Sequence, residues 1–306
     1  MREFKPIDLS EYRHSGEGAN GASYDSLTDP SVMMKLYNPG YDVQAVLTEY
    51  DIARKVYDLG VPSPEPGELV TDGERVGIRF RRIQGKRSFS RIFADEPGRT
   101  EEFARLFARK CRELHALQCP EGLFPEAKEQ FHYLLGQVKG LTGEHKKWLA
   151  AKIDATPDCT TALHGDMHFG NIISTLPAGA PLSTPHEIYF IDLGYFARGC
   201  PLFDLGMLMS IAWFSTPEFV LHDMHITQEH AARVAEFFLD EYFFKIPDPD
   251  GLPDHATRWF GPGQTLESVK KALVPYYCIK SLLIGYNIGQ MLPEAVEAID
   301  KLSKGE

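Results

Sequence analysis

The sequence of 306 residues has few cysteines, no long apolar run and no excess of positive charge. Its five cysteines are odd in number and irregularly spaced without a CxxC pair, which argues against a disulfide framework or a cysteine-based zinc site. No segment approaches the roughly 18 uninterrupted apolar residues that span a bilayer. Since the N-terminus also has no apolar signal core, we expect a cytoplasmic protein that does not enter a membrane.

The charge balance argues against two further classes of partner. The sequence has 32 basic and 43 acidic residues, for a net charge of −11. Nucleic acids and anionic lipid surfaces attract cationic proteins, so neither is an expected partner. A cationic small molecule is compatible with this balance. The expected assembly is a monomer or a homodimer.

The hydrophobic periodicity changes near residue 85 and divides the sequence into two parts. Residues 1–84 are typical of short strands with one helix over 41–59. Residues 85–306 are mostly helical in pattern, with an island over 163–196 in which two apolar strands flank a turn. The expected fold class is therefore α+β, with a small antiparallel sheet and one helix followed by a larger helical domain.

The first part contains a glycine motif, G-x-G-x-x-G, formed by Gly16, Gly18 and Gly21. A dinucleotide-binding fold would need a helix directly after this motif, whereas a turn-rich stretch and a strand follow. A glycine hairpin that covers phosphates is the better interpretation, and an ordinary flexible turn is the alternative.

Lys35 lies in an otherwise apolar strand pattern over residues 32–37. Glu49 lies on the apolar stripe of the predicted helix. Because an unpaired charge is costly to bury, this pattern predicts an ion pair between Lys35 and Glu49, of the type that directs a lysine at the α- and β-phosphates of a nucleotide. The alternatives are a solvated Glu49 and a competing pair with Asp51.

The strongest signal is the combination of HGDMHFGN, residues 164–171, with IDLG, residues 191–194. Asp166 and Asn171 lie on a loop before an apolar strand, and Asp192 directly follows another. Phosphoryl transfer needs such a set: a carboxylate that accepts or orients the proton of the acceptor, and oxygen ligands that hold magnesium on the phosphates. Each residue alone is typical of a turn, but together they favour this chemistry.

These two strings resemble the catalytic and metal-binding segments of the aminoglycoside phosphotransferase and choline kinase family, whose members are related to protein kinases. The resemblance implies a two-lobed, protein-kinase-like fold, with Asp166 as the catalytic base and Asn171 and Asp192 as magnesium ligands. It also implies that His164 and Asp204 support the catalytic loop.

The same resemblance implies a nucleotide-binding lobe over residues 1–84, and a helical lobe over 85–306 that holds the catalytic loop and the acceptor site. The glycine motif and the ion pair would bind the phosphates of ATP, and the connector near residue 82 would bind adenine through its backbone. The implied nucleotide-binding residues are Gly16, Gly18, Gly21, Lys35, Glu49, Arg82 and Ile83.

The implied reaction is the ATP- and magnesium-dependent transfer of the γ-phosphate to a hydroxyl group or an amine of a small molecule. Aminoglycosides, choline-like amino alcohols and sugars all fit as acceptors. Aromatic and acidic residues of the C-terminal helices are candidates for holding the acceptor: Trp213, Asp240, Glu241, Tyr242, Trp259, Tyr276 and Tyr277.

Three alternatives stay open at the level of the sequence. A protein serine/threonine kinase of the atypical bacterial type is the first, although the short segment from Asp192 to Asp204 leaves little room to bind a peptide. A metal-dependent hydrolase would use His164, Asp166 and His168 as ligands, but gives the glycine motif no role. A nucleotide-binding protein without activity is disfavoured, because every residue needed for transfer is present.

Overall fold

The computed structural model describes residues 2–18 and 20–305. They form two compact units. The first unit comprises the chain up to Ser88 together with Ile172–Tyr195, and the second comprises Phe89–Asn171 together with the chain from Phe196 onward. The sequence predicted that the chain divides once, near residue 84, into two continuous segments. In the structure, the segment Ile172–Tyr195 returns to the first unit.

The first unit contains a six-stranded sheet, a helix and a smaller three-stranded sheet. The large sheet has the order β1-β5-β6-β4-β3-β2 and the small one the order β10-β9-β7; every pair is antiparallel except β1 with β5. Its elements are β1 (Lys5–Pro6), β2 (Tyr12–Gly18), β3 (Gly21–Ser26), β4 (Val32–Tyr37), α1 (Val43–Asp58), β5 (Pro66–Thr71), β6 (Val76–Arg81), β7 (Arg87–Ser88), β9 (Ile172–Ser174) and β10 (Ile188–Phe190).

The alternation of side chains along β4 determines which residues meet α1. Tyr37 is fully buried in a cluster with Val46 of α1, while Met34 and Leu36 are buried in a separate cluster with Val70. Because side chains alternate along a strand, Lys35 shares its face with Tyr37 and points toward α1.

The second unit is mainly helical and carries two short strands, β8 and β11, which pair antiparallel with Leu163 opposite Ala197. Its helices and strands are α2 (Phe89–Asp95), α3 (Thr100–Ala116), α4 (Ala127–Gln137), α5 (Gly143–Ala155), β8 (Thr161–Leu163), β11 (Ala197–Gly199), α6 (Leu202–Met209), α7 (Pro217–Met224), α8 (Gln228–Asp240), α9 (His255–Phe260), α10 (Leu266–Ile288) and α11 (Pro293–Ser303).

Two helices differ from the sequence prediction in the same way. The patterns over 202–214 and 227–244 predicted uninterrupted helices, but α6 and α8 each continue into a π-helical turn, over Ser210–Phe214 and Glu241–Lys245. Such turns carry one extra residue per turn, which hydrophobic periodicity does not reveal. Helices α2, α7 and α9 were not predicted, because they span only 7, 8 and 6 residues.

Among the described residues, no helix is both long enough and apolar enough to cross a membrane.

Candidate active site

Lys35 is paired with two carboxylates within the first unit. Its Nζ lies 2.9 Å from Glu49 Oε1 and 3.4 Å from Asp192 Oδ1. It also lies 4.9 Å from the centre of the Tyr37 ring. Asp51, the competing partner that the sequence allowed for, instead forms an ion pair with Arg2. The structure therefore brings Lys35, Glu49 and Asp192 together.

The pKa of Lys35 reflects two opposing effects. Burial is the larger single effect and lowers the pKa, because it removes water from the ammonium. The negative charges of Asp192 and Glu49 together outweigh burial, and the pKa of Lys35 lies above its ordinary value. The lysine is therefore a fixed cation at neutral pH.

Asp192 occupies an unusual backbone position after β10. Its φ is 59°, in the left-handed region that few residues other than glycine adopt. Its side chain is 57% exposed, so it can accept a further partner besides Lys35. Two residues later, a Cβ added to Gly194 would lie 3.5 Å from the Glu49 carboxylate, in ordinary contact. Non-glycine residues with a left-handed backbone, such as Asp192, cluster at functional sites.

The glycine motif forms the hairpin between β2 and β3, with Gly18 opposite Gly21. A Cβ at Gly21 would lie 2.2 Å from the carbonyl oxygen of Leu36, so only glycine fits there. By contrast, an added Cβ at Gly16 would meet no atom within 4 Å. Gly21 is thus needed for packing against β4, whereas Gly16 and Gly18 leave the hairpin surface open.

Arg82 and Ile83 lie in the connector after β6. Arg82 forms an ion pair with Asp25 at 2.8 Å, and its backbone N–H donates to Ser31. Both connector residues line a cavity of about 470 Å³ within the first unit, together with Tyr57 and Tyr189. The side chain and the N–H of Arg82 are therefore engaged within this unit, and a role in binding adenine would belong to the other backbone groups of Arg82 and Ile83.

Within the second unit, Asp166 and Asn171 lie on the loop after β8 and contact each other. Asn171 Nδ2 donates to the backbone carbonyl of Asp166 at 3.0 Å and to its Oδ2 at 3.2 Å. The side chain of Asp166 is 21% exposed, which leaves its carboxylate open to a partner. Because the amide nitrogen of Asn171 is used on Asp166, the amide oxygen is the atom that can face a cation.

The catalytic loop is held by Asp204 near the start of α6. Its two carboxylate oxygens accept from the backbone N–H groups of His164 at 2.7 Å and Gly165 at 2.8 Å. His115 Nε2 donates to the same carboxylate at 3.0 Å, while its Nδ1 accepts from the Tyr242 hydroxyl at 2.7 Å. The expected bracing role of Asp204 has a direct physical basis in these contacts.

The Asp204 carboxylate is fully buried and still prefers its charged form. Burial alone would raise the pKa of Asp204, but the hydrogen bond from His115 and the positive charge of Lys280 help to lower it below its ordinary value. A carboxylate of this kind is a permanent acceptor for the loop backbone.

The hydrolase alternative finds little support in this loop. His164 Nδ1 accepts from the backbone N–H of Asp166, and His168 Nδ1 accepts from that of Gly170. Both histidines thus use a ring nitrogen to shape the loop. Within residues 2–18 and 20–305, no group of three or more His, Cys, Asp or Glu side chains is arranged to hold a metal ion.

Phe169, between His168 and Gly170 of the loop, is fully buried. Its ring packs edge to face with Phe93 at 5.6 Å between centroids. The backbone carbonyl of Phe169 also accepts from the N–H of Ser90 in α2. Phe169 therefore anchors the loop to the helical core by aromatic packing and by its backbone.

Most acceptor candidates named from the sequence serve other purposes. Asp240 and Glu241 form ion pairs with Arg105, and Trp259 donates to His255. Tyr242 and Tyr277 are fully buried. Trp213 is different, because it lines a cavity of about 540 Å³ in the second unit with two acidic neighbours, Glu294 and Glu297.

Sequence reasoning missed one residue of the catalytic loop's surroundings, Lys280 of α10. Its Nζ donates to the carbonyl of Gly165 and lies 3.9 Å from Asp166 Oδ1. A single lysine in the apolar pattern CIKSLLIG, residues 278–285, was the available signal. Its partners lie more than 100 positions earlier in the chain, so the signal alone could not identify them.

Comparison with known proteins gives a family match. Residues 14–242 match the model of a family described as the phosphotransferase enzyme family. This range covers well over half of the chain and includes every residue discussed above from Gly16 to Tyr242. Among curated proteins, the comparison found no match.

Solved structures give a similarity in fold. An aminoglycoside-3'-phosphotransferase of type VIII is 19% identical with a TM-score of 0.54, covering 90% of this chain and 93% of its own. A thermostable mutant of aminoglycoside phosphotransferase APH(4)-Ia, in a ternary complex with AMP-PNP and hygromycin B, is 12% identical with a TM-score of 0.56 and coverages of 96% and 93%.

A third structure has the same fold. Aminoglycoside phosphotransferase APH(3'')-Id from Streptomyces rimosus, in complex with ADP and streptomycin, is 19% identical with a TM-score of 0.50, covering 88% of this chain and 94% of its own. These likenesses confirm the α+β, protein-kinase-like fold expected from the sequence.

Proposed function

The chain belongs to the phosphotransferase enzyme family, and we propose that it transfers the γ-phosphate of ATP to a hydroxyl group or an amine of a small molecule in a magnesium-dependent reaction. The observation that carries this proposal is the position of Lys35 Nζ, 2.9 Å from Glu49 and 3.4 Å from Asp192. In kinases, a lysine held by a helix glutamate binds the α- and β-phosphates, and an aspartate that follows the catalytic loop in the chain binds magnesium.

Asp166 is proposed as the catalytic base. Its partly exposed carboxylate is oriented by the Asn171 amide. It would accept the proton of the acceptor group as the acceptor's oxygen or nitrogen bonds to the γ-phosphorus, while the bond from that phosphorus to the β–γ bridging oxygen breaks and ADP leaves. Neutral alcohols are weak nucleophiles, so a carboxylate held in place at the attacking oxygen raises the rate of transfer.

Asn171 and Asp192 are proposed as the magnesium ligands. An amide oxygen and an exposed carboxylate are the hard oxygen donors that magnesium prefers, so this donor set fits the ion. When bound, magnesium neutralises charge on the phosphates. The left-handed backbone of Asp192 would fix its carboxylate in one direction.

The other nucleotide contacts are proposed for the first unit. The open hairpin surface at Gly16 and Gly18 would allow backbone N–H groups to approach the phosphates closely. Because the side chain of Arg82 is engaged with Asp25 and its N–H with Ser31, adenine would be bound by the Arg82 carbonyl and the backbone of Ile83.

A small cationic acceptor is the proposed substrate class. The net charge of −11 favours a cation, and structures with the same fold were determined with streptomycin and with hygromycin B. Aminoglycosides are therefore the first candidates, followed by amino alcohols such as choline and by sugars. Strand β11 and α6 follow closely on Asp192, which leaves little chain for binding a protein substrate.

The test is ADP release by the full chain with Mg-ATP and, in turn, streptomycin, hygromycin B, choline, ethanolamine and glucose. We expect release that EDTA abolishes and that at least one acceptor accelerates, with a phosphate ester or phosphoramidate visible by phosphorus NMR. Asp192→Asn should lose this activity, while the matched control Asp158→Asn, at a position 93% exposed, should keep it. Release that is unaffected by EDTA, or no release with any acceptor, would contradict the proposal.

A further inference from the structure

Lys280 is a buried lysine near the middle of α10, with only 1% of its surface exposed. Close packing of α10 on α6 brings it under the catalytic loop. A Cβ added to Gly206 of α6 would lie 2.4 Å from the carbonyl of Tyr276 and 3.0 Å from Lys280 Cβ. Glycine at this position therefore allows the two helices to approach at the level of Lys280.

The ammonium of Lys280 reaches the loop at two points. It donates a hydrogen bond to the carbonyl of Gly165 and lies 3.9 Å from Asp166 Oδ1. Gly165 has a φ of +80°, a conformation that favours glycine. This left-handed turn directs the carbonyl of the residue just before Asp166 toward α10.

Lys280 completes the set of partners around the backbone of residues 164–166. Asp204 accepts from the N–H groups of His164 and Gly165, and His164 Nδ1 accepts from that of Asp166 at 3.2 Å. Asn171 donates to the carbonyl of Asp166, and Lys280 donates to that of Gly165. The loop backbone is therefore held by an anion on α6 and a cation on α10.

Stability alone is a poor reason for a lysine at this position. A buried charge is costly, and an apolar residue of similar volume is often at least as stabilising. Burial lowers the pKa of Lys280, while the charges of Asp166 and Asp204 oppose that effect. Its neighbours in α10, Ile279 and Leu282, are fully buried and apolar.

We infer that Lys280 is a positioning residue for the transfer reaction: by binding the Gly165 carbonyl and attracting the Asp166 carboxylate, it fixes the direction of the catalytic base. The inference rests on the proposed function, because it presupposes that Asp166 acts in catalysis. Lys280 needs no contact with substrate for this role.

The test compares Lys280→Met and Lys280→Gln with the wild-type chain, using Mg-ATP with water as the acceptor and calorimetric binding of AMP-PNP. Misplacement of a catalytic group by about 1 Å costs about 10²-fold, so Lys280→Met should lower kcat by about that factor. Its KM for ATP and its affinity for AMP-PNP should stay near the wild-type values. Lys280→Gln retains a hydrogen-bond donor, so its kcat should lie between those of the wild type and Lys280→Met.

Lys270→Met is the matched control, since Lys270 lies on the same helix but pairs with Glu236 and Glu267. It should keep the wild-type kcat. A wild-type kcat in Lys280→Met, or a loss of kcat with a matching loss of AMP-PNP binding, would overturn the inference. If Lys280→Met does not melt cooperatively, Lys280→Gln is used instead. Its kcat should lie below the wild-type value with unchanged AMP-PNP binding, and a wild-type kcat would overturn the inference. Absence of ADP release from the wild type would instead overturn the proposed function, and this inference with it.

Discussion

Lys35 combines a buried position with two carboxylate partners, and the balance between these effects decides its charge. Removing water from an ammonium favours the neutral amine, whereas each nearby carboxylate favours the cation. Here the carboxylates prevail, and the pKa of Lys35 is raised. Glu49 was identifiable from the sequence, because a carboxylate on an apolar helical stripe needs a partner. Lys280 was not, because its partner is a backbone carbonyl that only the folded loop presents.

Replacement of Lys35 by methionine is expected to weaken nucleotide binding. It removes the cation proposed to bind the α- and β-phosphates and leaves Glu49 and Asp192 without their shared partner. Because a hydrogen bond to a charged group is lost, the Kd for Mg-AMP-PNP should rise about 10- to 100-fold. Isothermal titration calorimetry measures this change. Lys55→Met, at an exposed position of α1, is the control. Binding by Lys35→Met as tight as that of the wild type would disprove this role.

In the hairpin of β2 and β3, glycine serves two different purposes that the G-x-G-x-x-G motif alone does not distinguish. All three glycines fit the same G-x-G-x-x-G string, yet only at Gly21 would an added Cβ clash with a neighbouring backbone. The string predicted a hairpin over phosphates, but the crowding at Gly21 depends on β4 as the adjacent strand. Such a contact between strands is set by sheet order, which a local motif does not specify.

Gly21→Ala and Gly16→Ala are therefore expected to differ in stability. At Gly21 the added methyl group would meet the Leu36 carbonyl at 2.2 Å, so the strands must move apart. We expect the free energy of unfolding to fall by about 2 kcal/mol or more, measured by urea denaturation. For Gly16→Ala, where no atom lies within 4 Å, the change should stay within about 0.5 kcal/mol. Equal effects in the two variants would contradict this distinction.

Helices and strands were predicted with different success for physical reasons. Helical patterns predicted helices over 100–117, 143–155, 265–289 and 293–303, and the observed bounds of α3, α5, α10 and α11 agree with these to within one residue. The two-residue strand β7 was missed, because it exists only through pairing with β9, more than 80 residues later. Pairing between distant segments leaves almost no local signal in a strand this short.

For the whole molecule, the α+β class and the family could be predicted because the catalytic strings are long and closely spaced. The division of the chain into units could not be predicted in full, since the segment Ile172–Tyr195 returns to the first unit through strand pairing. The identity of the acceptor also lies beyond the sequence. Of the seven aromatic and acidic candidates, most are used in packing or ion pairs.

The proposed function depends above all on Asp166 as the base of a magnesium-dependent phosphoryl transfer. The most direct measurement is single-turnover ADP formation from Mg-ATP by the wild type and by Asp166→Asn, with AMP-PNP affinity measured in parallel. General-base catalysis contributes about 10²- to 10⁴-fold, so Asp166→Asn should be slower by a factor in that range while it binds AMP-PNP as the wild type does. Wild-type rates of ADP formation in Asp166→Asn would show that Asp166 is not the base of the reaction.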